Sequence, residues 1–176
     1  ADIAVTDIPG TRYIYKEWDI ILLAEVLNHI SGDLYEFTNQ NLYKPLGIES
    51  EGWFQSASGT YYTVGNNDKN EKLSDLTAME MFQIGKLFLE NGIYKDKQII
   101  SKEYIDMATA PSPAQSGYGF MWWRDNQWYG CRGYGGQSIT VVPEKKLIMV
   151  TQATPTARGM GYNDLIWDII GKIENY

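Results

Sequence analysis

The chain has 176 residues, enough for one domain with a real core, since a chain of this size hides roughly 70% of its unfolded surface. With 22 acidic against 15 basic residues, a formal net charge of -7 and no basic run longer than Lys145-Lys146, it lacks the concentrated positive surface that phosphate binding needs, which argues against nucleic acid as a partner. One cysteine, Cys131, and one histidine, His29, exclude an intrachain disulfide and a zinc-type ligand set, so no cofactor is expected.

No apolar run reaches the ~20 residues that span a bilayer, and the first ten residues carry Asp2 and Asp7 where a signal peptide carries Lys or Arg. If the protein is exported, its signal has been removed or lies upstream.

In chain order, "EWDIILLAEVLNHISG" places Ile20, Leu23, Leu27 and Ile30 at helical spacing with Val26 beside them, and Ser31-Gly32 ends it as a glycine C-cap. His29 falls in the last turn, where partial positive charge suits the helix dipole. "DLYEFTNQNLYKPLG" reads as a second short helix, capped by Asp33 and stopped by Pro45 and Gly47. From Ile48 to Asp75 the sequence is polar and glycine-rich without a sustained period, which predicts a long surface loop with a short strand at "TYYTV".

Thr77 and Glu80 stand in capping-box spacing ahead of "LTAMEMFQIGKLFLENG", whose Met81, Ile84, Leu87 and Phe88 share one stripe, and Asn91-Gly92 closes this helix. Ser101 starts a further short helix to about Ala108, ended by Pro111 and Pro113.

The period then changes. Tyr118 to Trp123, Gln127 to Arg132, Ser138 to Val142 and Leu147 to Ala153 read as strands joined by "RDN", "GYGG" and "PEKK", connections short enough to require antiparallel neighbours. "YNDLIWDIIGKIEN" sets Leu165, Ile169 and Ile173 at four-residue spacing, with Ile166 and Ile170 alongside, and predicts a C-terminal helix packed on that sheet. The expected fold is α/β in one domain over residues 1–176, mainly helical through 110, with antiparallel strands and the closing helix over 111–176.

Trp122, Trp123, Trp128 and Tyr129 crowd into "YGFMWWRDNQWYG". Core and sheet-face packing is the first reading and a ligand groove the second, with Trp122 the candidate substrate contact. "GYGG" alone is a weak signal, because most such turns only need glycine's backbone freedom.

The order of elements is more specific. "PGTRYIYKEWDIILLAEVLNHISGDLYEFTNQNLYKPLGI", the "LTAMEMFQIGKLFLENGIYKDKQIISKEYIDMATAP" helices, "YGFMWW" and "GYGGQSITVVPEKKLIMV" together resemble serine β-lactamase-type hydrolases, the family of class C β-lactamases, DD-peptidases and related esterases and amide hydrolases. The resemblance covers nearly the whole chain. It implies acyl-enzyme chemistry on an ester, amide or peptide bond, a small-molecule or peptide substrate, and an exported cell-envelope location.

By position, Tyr15 matches the family's catalytic tyrosine, which moves a proton between nucleophile and leaving group. Glu17 stands where the family has an asparagine that holds the substrate amide, and a carboxylate cannot donate that bond. "GYGG" falls at the family's third element. The resemblance therefore turns Tyr134 to the site as a neutral phenol, lets substrate approach the backbone at Gly135 and Gly136, and gives the Gln137 N–H an oxyanion role. A phenol in place of a cation removes an anchor for a β-lactam carboxylate and favours esters or amides.

The family's nucleophile is a serine in Ser-x-x-Lys, and no serine here has lysine three residues later; Ser101-Lys102 continues to Tyr104. In the family that motif precedes "PGT", so the chain is expected to be the C-terminal half of the fold, without the first strands and the nucleophile helix and inactive alone. A non-catalytic binding module derived from the same fold is the alternative. Truncation would leave a sheet edge and an apolar face uncovered, to be closed by a second copy or by a complementing N-terminal half.

Overall fold

The computed structural model describes residues 7–49, 54–55, 59, 61–62, 76–133, 136–152 and 168–172. Helix α1, Glu17–Ser31, follows extended backbone at Lys16 and ends at Gly32, whose φ of 84° suits only glycine and whose N–H donates to the Asn28 carbonyl. The Asn28 side chain accepts from the Leu34 N–H at 2.9 Å, which fixes the tight turn into α2, Leu34–Thr38. Asp33 caps α2 as expected, accepting from the Glu36 N–H at 2.8 Å.

The expected second helix is three pieces. α2 widens into a π-helical turn, Asn39–Tyr43, before α3, Lys44–Leu46, and the chain leaves through Gly47 in the left-handed region. Pro45 sits inside α3 rather than beyond it. It lacks the N–H that an uninterrupted α-helix would donate to Asn41, and the wider turn ahead of it accommodates that loss.

Within the stretch read as a loop, β1, Phe54–Gln55, and β2, Tyr61–Tyr62, pair antiparallel. Helix α4, Ala78–Leu89, has the capping box: the Glu80 N–H donates to Thr77 Oγ1, and the Glu80 carboxylate accepts from the Thr77 N–H at 2.7 Å. Between α4 and α5, Lys102–Thr109, lies a hairpin that periodicity did not indicate, β3 (Ile93–Tyr94) on β4 (Lys97–Gln98), turned by Lys95 and Asp96 at positive φ. Two-residue strands carry too few side chains to show a period.

The main sheet is antiparallel with strand order β5-β6-β7-β8: Trp123–Arg124, Tyr129–Arg132, Ser138–Val142 and Leu147–Thr151. β5 is shorter than the expected Tyr118 to Trp123, because the chain turns against α5 first. Phe120 donates its N–H to the Ala108 carbonyl at 2.8 Å, and a Cβ at Gly119 would lie 2.1 Å from that same oxygen.

Both faces of the sheet are covered. Ile139, Val141 and Ile148 face α4, where Gly85 lets the helix come so close that a Cβ there would stand 2.9 Å from the Ile139 and Ile148 methyls. On the other face Trp128 and Val142 pack with Ile170, from the helical residues 168–172. Leu165, Ile166 and Ile173, expected in that helix, lie outside the described residues. A second core joins Tyr43, Leu46, Ile48 and Leu87, and a third joins Phe88, Ile105, Ala108 and Trp122.

Candidate active site

The extended stretch ahead of α1 alternates its side chains, so Tyr13 and Tyr15 point the same way. Both meet Tyr118, with ring centroids at 5.3 and 6.2 Å, and Tyr15 also stacks on Trp123 at 5.7 Å with 28° between planes. Tyr118 itself sits edge-on to Trp123 at 4.8 Å. Three of these rings, Tyr13, Tyr15 and Tyr118, line a groove of about 160 Å³ together with Lys16, Ile20 and Met121 among others, with Trp123 packed behind them. Tyr15 remains 51% exposed, so its phenol is held on one side by aromatic contact and open on the other.

The phenols around it are kept neutral. Burial, then the neighbouring Tyr13, Tyr15 and Cys131, push Tyr118 up to about 12. Tyr13 is raised by burial and by Tyr15, and its hydroxyl finds no hydrogen-bond partner among the described residues. At neutral pH both are O–H donors facing a largely apolar groove.

The second part of the candidate site is the turn from β6 into β7. Gly136 has φ 105°, where a side chain would be strained, and its carbonyl accepts from Thr151 Oγ1 at 2.7 Å. Ser138 Oγ lies 2.7 Å from that same Thr151 oxygen, and the Gly133 N–H closes the turn on the Gln137 carbonyl at 2.8 Å. Three contacts thus fix where Gln137 enters β7. Tyr134 and Gly135, expected to face substrate, lie outside the described residues.

β5 and β6 run antiparallel with Trp123 opposite Gly130, and β6 continues to Arg132, so the β6–β7 turn and the start of β5 share one end of the sheet. Tyr15, stacked on Trp123, stands at that end. Gly136 and Gln137 are not in the groove wall itself.

Trp122, the expected substrate contact, is placed elsewhere. It is 7% exposed and packs against Phe88 at 4.1 Å in the core beneath α4 and α5. Strand alternation separates the two tryptophans, and Trp123 is the one that reaches the site. Glu17 opens α1, and the structure describes only its backbone.

Trp123 lies in the aromatic cluster whose second reading is a ligand groove, whereas Tyr13, Tyr118 and Met121 carry no such signal in the sequence. The i, i+2 spacing of Tyr13 and Tyr15 was the available signal for Tyr13; Tyr118 and Met121 reach the groove only through tertiary packing. Cys131 points into the core and burial pushes its thiol up to about 12, which suits a packed side chain and not a nucleophile. Among the described residues no three His, Cys, Asp or Glu side chains gather as a metal site, and no helix is long and apolar enough to cross a membrane.

An antiparallel sheet with packed helices is the fold this chain shares with β-lactamase-fold hydrolases. The Beta-lactamase family model matches residues 2–168, and the chain belongs to that family. Among solved structures, a Bacillus anthracis protein described as a 6-aminohexanoate-dimer hydrolase superposes with TM-score 0.70 at 24% identity, over 97% of this chain and 46% of its own. A Bacteroides dorei DSM 17855 protein described as a β-lactamase gives TM-score 0.66 at 14% identity, over 90% of this chain and 56% of its own. The chain thus spans about half the length of each. No curated protein matches it.

Proposed function

We propose that these residues form the tyrosine and oxyanion side of a serine hydrolase acting on an ester, amide or peptide bond through an acyl-enzyme. The observation that carries the reading is Tyr15, exposed on one side and pinned by Trp123 on the other, at the sheet end where the backbone turns into β7.

In this reading a serine supplied by sequence outside residues 1–176 attacks the carbonyl carbon, and its proton passes through the Tyr15 phenol to the leaving oxygen or nitrogen as the scissile bond breaks. The Gln137 N–H, steadied by the Gly133 and Thr151 contacts, takes the negative charge of the tetrahedral intermediate. Water then cleaves the acyl-serine by the reverse proton path. Arg132, the cation next to the turn in sequence, lies over the Trp128 ring 4.9 Å from its centroid. This supports a neutral ester or amide over an anionic β-lactam.

Tyr15→Phe in the complete product of the encoding gene tests the assignment. Loss of proton transfer is expected to lower kcat/KM on activated esters by about 10²–10⁴-fold, the usual range for a positioned acid-base group, with thermal unfolding unchanged. Unchanged turnover would reject Tyr15 as the proton carrier.

A second reading has specific support: Glu17 replaces the family's amide-holding asparagine and Ser-x-x-Lys is absent from the 176 residues. A binding module on the same fold would then use the groove for a ligand without turnover.

A further inference from the structure

Between Gly119 and Trp122 the chain reverses through a two-residue tip, Phe120 and Met121, which leads Tyr118 back to Trp123. Three hydrogen bonds hold the tip. The Gly119 N–H donates to the Trp122 carbonyl at 2.8 Å, the Phe120 N–H to the Ala108 carbonyl at 2.8 Å, and the Met121 N–H to the Gly119 carbonyl at 3.0 Å. Met121 bears the strain of this turn, with φ 62°, in the left-handed region where glycine sits freely and a longer side chain does not. Among the described residues the other non-glycines at positive φ are Asn91, Lys95, Asp96 and Lys146, all polar, exposed residues of turns. Met121 is the one apolar side chain held there.

Such strain persists where the surroundings fix it, and it concentrates where a side chain has a task at a site. Met121 is 47% exposed and lines the groove with Tyr15, Tyr118 and Ile20. Lys16 and Asp19 border the same groove with opposite charges, so its wall has no net charge to select an ion. Its volume of about 160 Å³ is half the ~300 Å³ from which pockets for whole small ligands begin, so it fits one arm of a substrate.

We propose that Met121 is a specificity-determining residue of this site, and that it restricts the arm attached to the leaving oxygen or nitrogen to an apolar, unbranched chain. Which arm it restricts rests on the hydrolase reading. Tyr15 hands its proton to the leaving atom, and a proton donor must lie within hydrogen-bond reach of that atom, so the groove that Tyr15 borders receives the chain bonded to it. The long thioether side chain of Met121 packs along a slender alkyl arm and blocks a branch at the carbon next to the leaving atom. A glycine at this position would remove the backbone strain and the wall together.

Met121→Gly in the complete gene product tests this on n-butyl and sec-butyl acetate, isomers that differ only in branching at the carbon bearing the oxygen. The preference for n-butyl in kcat/KM is expected to fall by about tenfold or more, the scale of one hydrophobic contact in a pocket. Tm is expected not to fall, since the turn loses its strained residue. An unchanged preference, whatever the Tm, would overturn the proposal and leave the hydrolase reading standing. Peroxide oxidation of the methionines in the unaltered protein reads binding without turnover. If neither ester is cleaved, slower oxidation of Met121 in N-butylacetamide than in N-sec-butylacetamide, with the 65% exposed Met79 as reference, rejects the hydrolase reading and keeps the selectivity of the groove. Equal oxidation of Met121 in the two amides would overturn the proposal on its own.

Discussion

Tyr15 stacks on Trp123 with ring centroids 5.7 Å apart, while the adjacent Trp122 turns to the opposite face and packs 4.1 Å from Phe88. Two neighbouring tryptophans therefore do different work. Trp122→Ala opens a core cavity and is expected to cost about 3–5 kcal/mol in chemical denaturation. Trp123→Ala is expected to cost less and instead to release Tyr15, seen as faster solvent exchange or oxidation of that ring. Equal losses of stability from both would contradict the division.

Alkaline titration follows from the buried phenols. Burial first, then its neighbours' charges, push Tyr118 up to about 12, and burial with the Asp106 charge does the same for Tyr129, both from 10.0. A folded value above the unfolded one means that the stabilisation is complete below pH 10 and is lost as pH rises through about 12. Absorbance at 295 nm should show a late phase from Tyr118 and Tyr129, accompanied by loss of structure. Removing Tyr129 by Tyr129→Phe should reduce the late phase.

Thr140 is fully buried in β7, and its hydroxyl has no hydrogen-bond partner among the described residues. Replacing it with the isosteric valine removes an unmet polar group. Thr140→Val is expected to stabilise the fold by about 1–2 kcal/mol, raising Tm by a few degrees in a scanning-calorimetry trace. A lower Tm would mean that the hydroxyl is satisfied.

The capping box of α4 sets a local limit. Thr77→Ala removes the acceptor for the Glu80 N–H and should cost about 1 kcal/mol. Glu80→Ala should cost more, because Glu80 also accepts from the Glu49 N–H at 3.2 Å and ties the end of the α3 segment to α4. A denaturant series on the two variants checks the order.

The helices and the sheet were legible because their signals are local. Gly32, Asp33, Thr77 and Ser101 cap helices where their residue types say they should, and the turns "GYGG" and "PEKK" bound the strand Ser138–Val142. The π-helical turn before Pro45 was hidden because hydrophobic periodicity does not register one extra residue per turn. Neither Tyr13 nor Tyr118, whose ring meets both Tyr13 and Tyr15, is marked by the resemblance, which does single out Tyr15. Tyr118 is brought to it by the turn at Gly119, whose reason is contact with Ala108 of a different helix, and no spacing along the chain records that.

In the proposed hydrolase reading Tyr15 serves a serine, and no serine among these 176 residues stands in Ser-x-x-Lys form. The direct measurement is peptide mapping of the complete gene product after reaction with a fluorophosphonate probe. Under the hydrolase reading a single adduct forms, on a serine outside residues 1–176, and forms more slowly in Tyr15→Phe. An adduct on any serine within these residues, or an adduct formed at the same rate without the Tyr15 hydroxyl, would contradict it.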